Sequence, residues 1–127
     1  MITGFRIVLG LLGLLYLWLG TGFLFDPSGS GAEFGIEQLG VKGLASIRAD
    51  FTAFFLVAGG CLVWGAWARR ADPLIVSAAL MGAAFIGRAV NIAQNGTYEG
   101  WMQPMVVEAL TVATALIGSR LLPVKPA

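Results

Sequence analysis

The stretch IVLGLLGLLYLWLGTGFLF, Ile7 to Phe25, runs for 19 residues without a charge. As a helix it covers ~28 Å, close to the ~30 Å of bilayer hydrocarbon, so it is long enough to span. Its flanks favour a retained anchor over a cleaved signal peptide. Arg6 precedes the run, but the run is too long for a signal's apolar core, and Asp26-Pro27 stands where small residues would mark cleavage. The rest of the chain has the same character: 57% of residues are hydrophobic, 12% are charged, and the mean hydropathy is +0.83. Such a composition belongs to a membrane protein.

Three more apolar segments follow, from about Val41 to Ala68, Pro73 to Ala93 and Met102 to Leu122. Pro73 and Pro104 sit where a first helical turn tolerates a missing donor. DPSGSG and QNGTYEG are rich in turn residues, and LPVKPA stops the last helix. The sequence therefore predicts an all-α, integral membrane, antiparallel four-helix bundle, with residues 1–127 as one four-span domain and PSGSGAEFG as a flexible connection. Arg6, Arg69, Arg70, Arg120 and Lys125 fall on one side of that topology. Asp26, Glu33, Glu37 and Glu99, against Lys42, fall on the other. The positive-inside rule then places both termini in the cytoplasm. Trp67, Tyr98 and Trp101 lie near the two interfaces.

Several classes of chemistry are excluded at this level. With no histidine and one cysteine, the chain has no ligand set for a His-bound haem or zinc or a four-thiolate site, so neither a metal nor a cofactor is expected. Cys61 lies within a span and reads as a small buried hydrophobe. A net charge of +1 offers no basic surface for nucleic acid.

Arg48, Arg88 and Glu108 each lie ~10 Å along their helices from the acidic end, so three helices carry charge at one depth. Asp50, Asn91 and Thr111 fall near the same level. Without Glu108 and Arg88, spans four and three shrink to 14 and 15 residues, below the ~17 needed to cross, so these two charges belong inside the membrane. An intramembrane Arg and Glu should face the bundle and each other, and Arg88 with Glu108 is the expected pair. Phe51 to Ala68 supplies 18 residues unaided, so Arg48 and Asp50 can rest at headgroup level. They are about 200° apart on a helix and cannot share a partner. A purely structural lock between Arg88 and Glu108 is the competing account of the cluster.

Small residues allow close helix approach: Gly10, Gly13 and Gly20 on span one, Gly59, Gly60 and Gly65 on span two, and Ala79, Ala83 and Gly87 on span three. They are expected to pack the bundle, with an oligomer contact as the alternative. Tyr16, Trp18, Phe51, Phe54 and Phe55 read as core or lipid contacts and not as a cofactor box.

RADF at Arg48 to Phe51, Gly87-Arg88, Asn95-Gly96, and Pro104 followed four residues later by Glu108 occur in an order that resembles a bacterial membrane family known as domain of unknown function 4345. That family is similar in size and layout to the DoxX-like four-helix proteins. The glycine pair expected after RADF is Thr52-Ala53 here. The resemblance runs nearly end to end and implies a four-helix protein of the bacterial inner membrane with these charged positions. It implies no reaction.

Two functions of different class follow. One is a pocket open to the outer leaflet, in which Arg48 and Arg88 hold an anionic or carbonyl group and Asp50 or Glu108 exchanges a proton. Its ligand would be a small hydrophobic molecule or lipid. The other is an accessory subunit of a larger membrane complex or a homo-oligomer. A channel ranks third, because a conduction path needs polar groups along its length and here they sit at one level.

Overall fold

The computed structural model describes residues 1–124, and its regular elements there are α1 (Ile2–Phe25), α2 (Pro27–Glu33), α3 (Gly40–Ala68), α4 (Ala71–Asn95) and α5 (Met102–Leu121). Four of them, α1, α3, α4 and α5, are long and apolar enough to cross a membrane. Their limits follow the apolar runs to within two residues, except at the start of α1. α1 starts at Ile2, because Arg6 turns onto the end of α3 and holds the first turns in place: its Nε donates to the Ala66 carbonyl at 2.8 Å and its Nη2 to that of Trp67 at 3.1 Å. Lys125, expected to close the last span, lies outside the described residues.

The expected flexible connection is corrected by α2. Asp26 caps this short helix by accepting from the Gly29 amide at 3.2 Å, and Pro27 occupies the first turn, where a missing donor is harmless. Pro27 and Gly31 are buried. Just beyond the helix, Phe34 packs its ring on Phe23 and Phe55, with centroids 5.4 and 5.7 Å away. The segment is folded back onto the bundle by an aromatic anchor that its glycine content conceals.

α1 packs along α3, α3 on α4, α4 on α5, and α5 closes more lightly on α1. The α1–α3 seam is the tightest. A Cβ placed at Gly59 would stand 2.7 Å from the Gly13 carbonyl oxygen, so the two backbones touch where only glycine fits. Gly20 and Gly65 likewise receive Leu56 and Leu74, whereas Gly10, Gly60 and Gly87 face open space. Leu9, Phe23, Leu62, Leu74 and Met81 are fully enclosed. Tyr16, Phe51, Phe54 and Phe55 join Phe23 and Phe34 in one aromatic cluster. Trp18 is 71% exposed, and with Leu11, Leu14, Trp64 and Ile86 it turns an apolar surface outward, as a bilayer requires.

Helix ends leave carbonyls without partners, a serious cost away from water, and three arginines satisfy four of them. Arg6 serves α3. Arg69 Nε donates to the Leu122 carbonyl at 2.7 Å, at the end of α5. Arg48 Nε donates to the Leu24 carbonyl at 3.0 Å, in the last turn of α1. Arg6, Arg69, Arg70 and Arg120 thus gather at one end of the bundle, and α2 and the α4–α5 loop lie at the other.

Candidate functional site

α4 and α5 run back to back through a short loop, Gly96 to Trp101, in which Gly96 and Gly100 take positive φ of 83° and 81°. The tight reversal brings residues at equal depth on the two helices side by side. Arg88 Nε donates to Glu108 Oε2 at 2.9 Å. Burial is unequal, with side-chain exposures of 29% for Arg88 and 8% for Glu108. The Tyr98 phenol, from the loop above, lies beside the same guanidinium.

Glu108 Oε1 is buried and has no hydrogen-bond partner among the described residues. A carboxylate oxygen is an acceptor with room for two donors, and leaving one enclosed and unpaired is costly, about 1 to 3 kcal/mol or more for a charged group. The other such atom among the described residues is Thr52 Oγ1, on α3.

One turn further along α5, Thr111 is fully buried, and its hydroxyl donates to the Val107 carbonyl at 2.8 Å. That spends its single proton, so the Tyr16 hydroxyl, 2.7 Å away on α1, donates to Thr111 Oγ1. Thr111 and Glu108 share a face of α5, which places the Tyr16–Thr111 bond next to the ion pair. Tyr16, Thr111, Glu108 and Arg88 therefore form a polar seam through α1, α5 and α4.

The remaining sequence candidates sit elsewhere. Asn91 is exposed on α4 and accepts from Asn95 Nδ2 at 2.8 Å. Arg48 is exposed and engaged with the end of α1. Asp50 is exposed, and the ion pairs among the described residues, Arg88–Glu108 and Arg70–Asp72, do not include it. Equal depth therefore did not mean proximity, because it leaves the direction around each helix open. Conversely, Tyr16 and Tyr98 belong to the seam or its rim, although the sequence suggests a core and an interface aromatic. The signal for Tyr16 is a lone phenol in a span otherwise almost wholly apolar, since a buried phenol seeks a partner.

No group of three or more His, Cys, Asp or Glu residues is placed to hold a metal ion among the described residues. Two open grooves lie away from the seam, one of ~260 Å³ beside Arg6 and Trp67 and one of ~420 Å³ beside Ser28 and Gln38.

Comparison with known proteins finds one family. Its model, described as domain of unknown function (DUF4345), matches residues 4–118, which contain the whole seam. Neither the curated proteins nor the solved structures contain a match to the chain.

Proposed function

The chain belongs to the DUF4345 family, and from the geometry of its four spans we propose that the Arg88–Glu108 seam binds the polar end of a small hydrophobic molecule or lipid. The observation that carries this reading is Glu108 Oε1, a buried acceptor without a donor among the described residues, next to a guanidinium that remains partly accessible. A ligand suited to it carries a hydroxyl or ammonium donor on an apolar body. The donor completes the Glu108 carboxylate, Arg88 and Tyr98 take an acceptor beside it, and the outward apolar faces of α4 and α5 meet the body. A lock that served helix register alone would gain nothing from the empty lone pairs. We assign no reaction to the site.

With the basic end in the cytoplasm of a bacterium, both termini lie there, the protein resides in the inner membrane, and the seam opens toward the outer leaflet. The support is the gathering of Arg6, Arg69, Arg70 and Arg120 at one end.

The test is extraction of the full chain in mild detergent, with retained small molecules identified by mass spectrometry. The wild type is expected to keep one hydrophobic species bearing a hydrogen-bond donor, and Glu108→Gln to reduce its retention about tenfold, the effect of ~1.4 kcal/mol. Arg48→Leu, remote in its bonding, should keep it. Equal retention by the wild type and Glu108→Gln overturns the proposal.

A second reading, a subunit of a larger assembly or of a homo-oligomer, is favoured by one specific feature. Ala79, Ala83 and Gly87 lie at i, i+4 and i+8 on α4, and all three are exposed, so this small-residue face is not used within the bundle. Ala83→Leu would block close approach of a partner helix and lower the mass of the purified particle. An unchanged mass removes this reading.

A further inference from the structure

At the end of the bundle opposite the seam's opening, the first turns of α1 and the last turns of α3 border an open groove of ~260 Å³, lined by Thr3, Arg6, Ile7, Gly10, Val63 and neighbours on α3. Gly10 leaves it unobstructed, since even a Cβ there would stand in open space with nothing within 4 Å. Its walls are apolar except at Arg6 and Thr3. That arginine is held fast by the two α3 carbonyls, through Nε and Nη2, which leaves Nη1 without a partner among the described residues. An anchored guanidinium offers a fixed cation, not one free to swing into bulk water.

The groove has a direction. Arg6 lies toward the basic end of the bundle, and Gly10 lies one turn deeper, ~6 Å along the helix, so charge sits at headgroup level and apolar surface leads inward. A phospholipid has the same polarity. The headgroup chemistry is also constrained, because no carboxylate lines the groove to receive an ammonium group. The surrounding end adds Arg69, Arg70 and Arg120 against Asp72, which sits 3.9 Å from Arg70. An anionic headgroup matches this field and a zwitterionic one gains less from it.

We propose that this groove is a binding site for one anionic phospholipid, with its phosphate on Arg6 and one acyl chain along Ile7, Gly10 and Val63. The site is separate from the Arg88–Glu108 seam and stands whether or not the seam binds a ligand.

Native mass spectrometry of the full chain in detergent tests it, with titration of phosphatidylglycerol and of phosphatidylcholine with identical acyl chains. One phosphatidylglycerol should bind about tenfold or more tightly than phosphatidylcholine. Gly10→Phe projects a ring into the groove from a Cβ that has no atom within 4 Å and leaves Arg6 intact, and it should abolish the bound lipid at unchanged thermal stability. Arg6→Gln keeps an amide donor for the α3 carbonyls and should erase the preference for the anionic lipid. Arg70→Gln, outside the groove, should leave one bound lipid. Equal affinity for the two lipids in the wild type, or unaltered binding in Gly10→Phe, overturns the proposal. So does a loss in Arg70→Gln as large as that in Gly10→Phe, which would show attraction to the whole basic end in place of a site.

Discussion

Arg88 and Glu108 join α4 to α5 through a single hydrogen bond, Nε to Oε2 at 2.9 Å, which leaves the second carboxylate oxygen enclosed and unpaired among the described residues. Removing either partner strands the other charge in a place with little water, which typically costs about 3 to 5 kcal/mol. Replacing both with apolar groups of similar size avoids that cost. Arg88→Leu and Glu108→Leu are therefore each expected to lower the midpoint of thermal unfolding in detergent, and the double variant to recover most of the loss. Losses that simply add in the double variant would mean that the pair is not coupled.

The Tyr16–Thr111 bond makes an asymmetric prediction. In Tyr16→Phe the Thr111 hydroxyl still has the Val107 carbonyl, so the change removes one hydrogen bond and leaves nothing unpaired, at about 0.5 to 1.5 kcal/mol. In Thr111→Val the phenol stays buried without its acceptor and the cost rises to about 1 to 3 kcal/mol. Thermal unfolding of both variants should place Thr111→Val below Tyr16→Phe, with the double variant close to Tyr16→Phe. The reverse order would show that the phenol has another acceptor.

Much of this architecture is legible in the chain, for identifiable reasons. The lengths of α1, α3, α4 and α5 follow from apolar runs that must cover the bilayer, and the burial of Glu108 follows from a span that is too short without it. α2 was also written in the sequence, as an aspartate cap followed by proline, but Gly29 and Gly31 are poor helix formers and masked it. What packing holds in place, through Phe34, local propensity does not report. The partner of Arg48 was out of reach for a different reason. It is the backbone carbonyl of Leu24, and a carbonyl carries no residue signature. Tyr16 and Thr111 were each visible as polar groups in apolar surroundings. Their contact spans 95 positions, and only the way α5 closes on α1 brings them together.

Arg69 adopts a left-handed backbone conformation, φ 54° and ψ 53°, to turn the chain between α3 and α4, and it is the only non-glycine residue with positive φ among those described. For a residue with a Cβ this costs roughly 1 to 2 kcal/mol. The bond from its Nε to the Leu122 carbonyl helps to offset it. Arg69→Ala loses that bond and keeps the strain, whereas Arg69→Gly loses the bond and releases the strain. Arg69→Gly should therefore unfold at a higher temperature than Arg69→Ala, by the equivalent of about 1 kcal/mol. Equal midpoints would show that the turn has relaxed in the alanine variant.

The crossing of α1 and α3 gives the most demanding comparison, because it separates glycines that pack from glycines that do not. A Cβ at Gly13 would stand 2.7 Å from Val63 Cγ2 and 2.9 Å from the Gly59 carbonyl oxygen. One at Gly59 would stand 2.7 Å from the Gly13 carbonyl oxygen and 2.8 Å from the Leu17 amide nitrogen. The second set of contacts is with backbone, which cannot rotate aside, so the helices must separate along the seam. Overpacking of this kind costs about 1 to 3 kcal/mol. Gly60, next in the chain, has nothing within 4 Å of such an atom, and there an alanine gains about 1 kcal/mol of helix propensity without a clash. Gly59→Ala should therefore be the least stable of the three alanine variants, Gly13→Ala should be intermediate because it meets one backbone atom closely where Gly59 meets two and its other close contact, the Val63 side chain, can give way, and Gly60→Ala should match or exceed the wild type. Detergent-solubilised thermal unfolding measures all three. Loss in Gly60→Ala comparable to that in Gly59→Ala would mean that the face on which Gly60 lies is also closely packed, and would place a second helix against it.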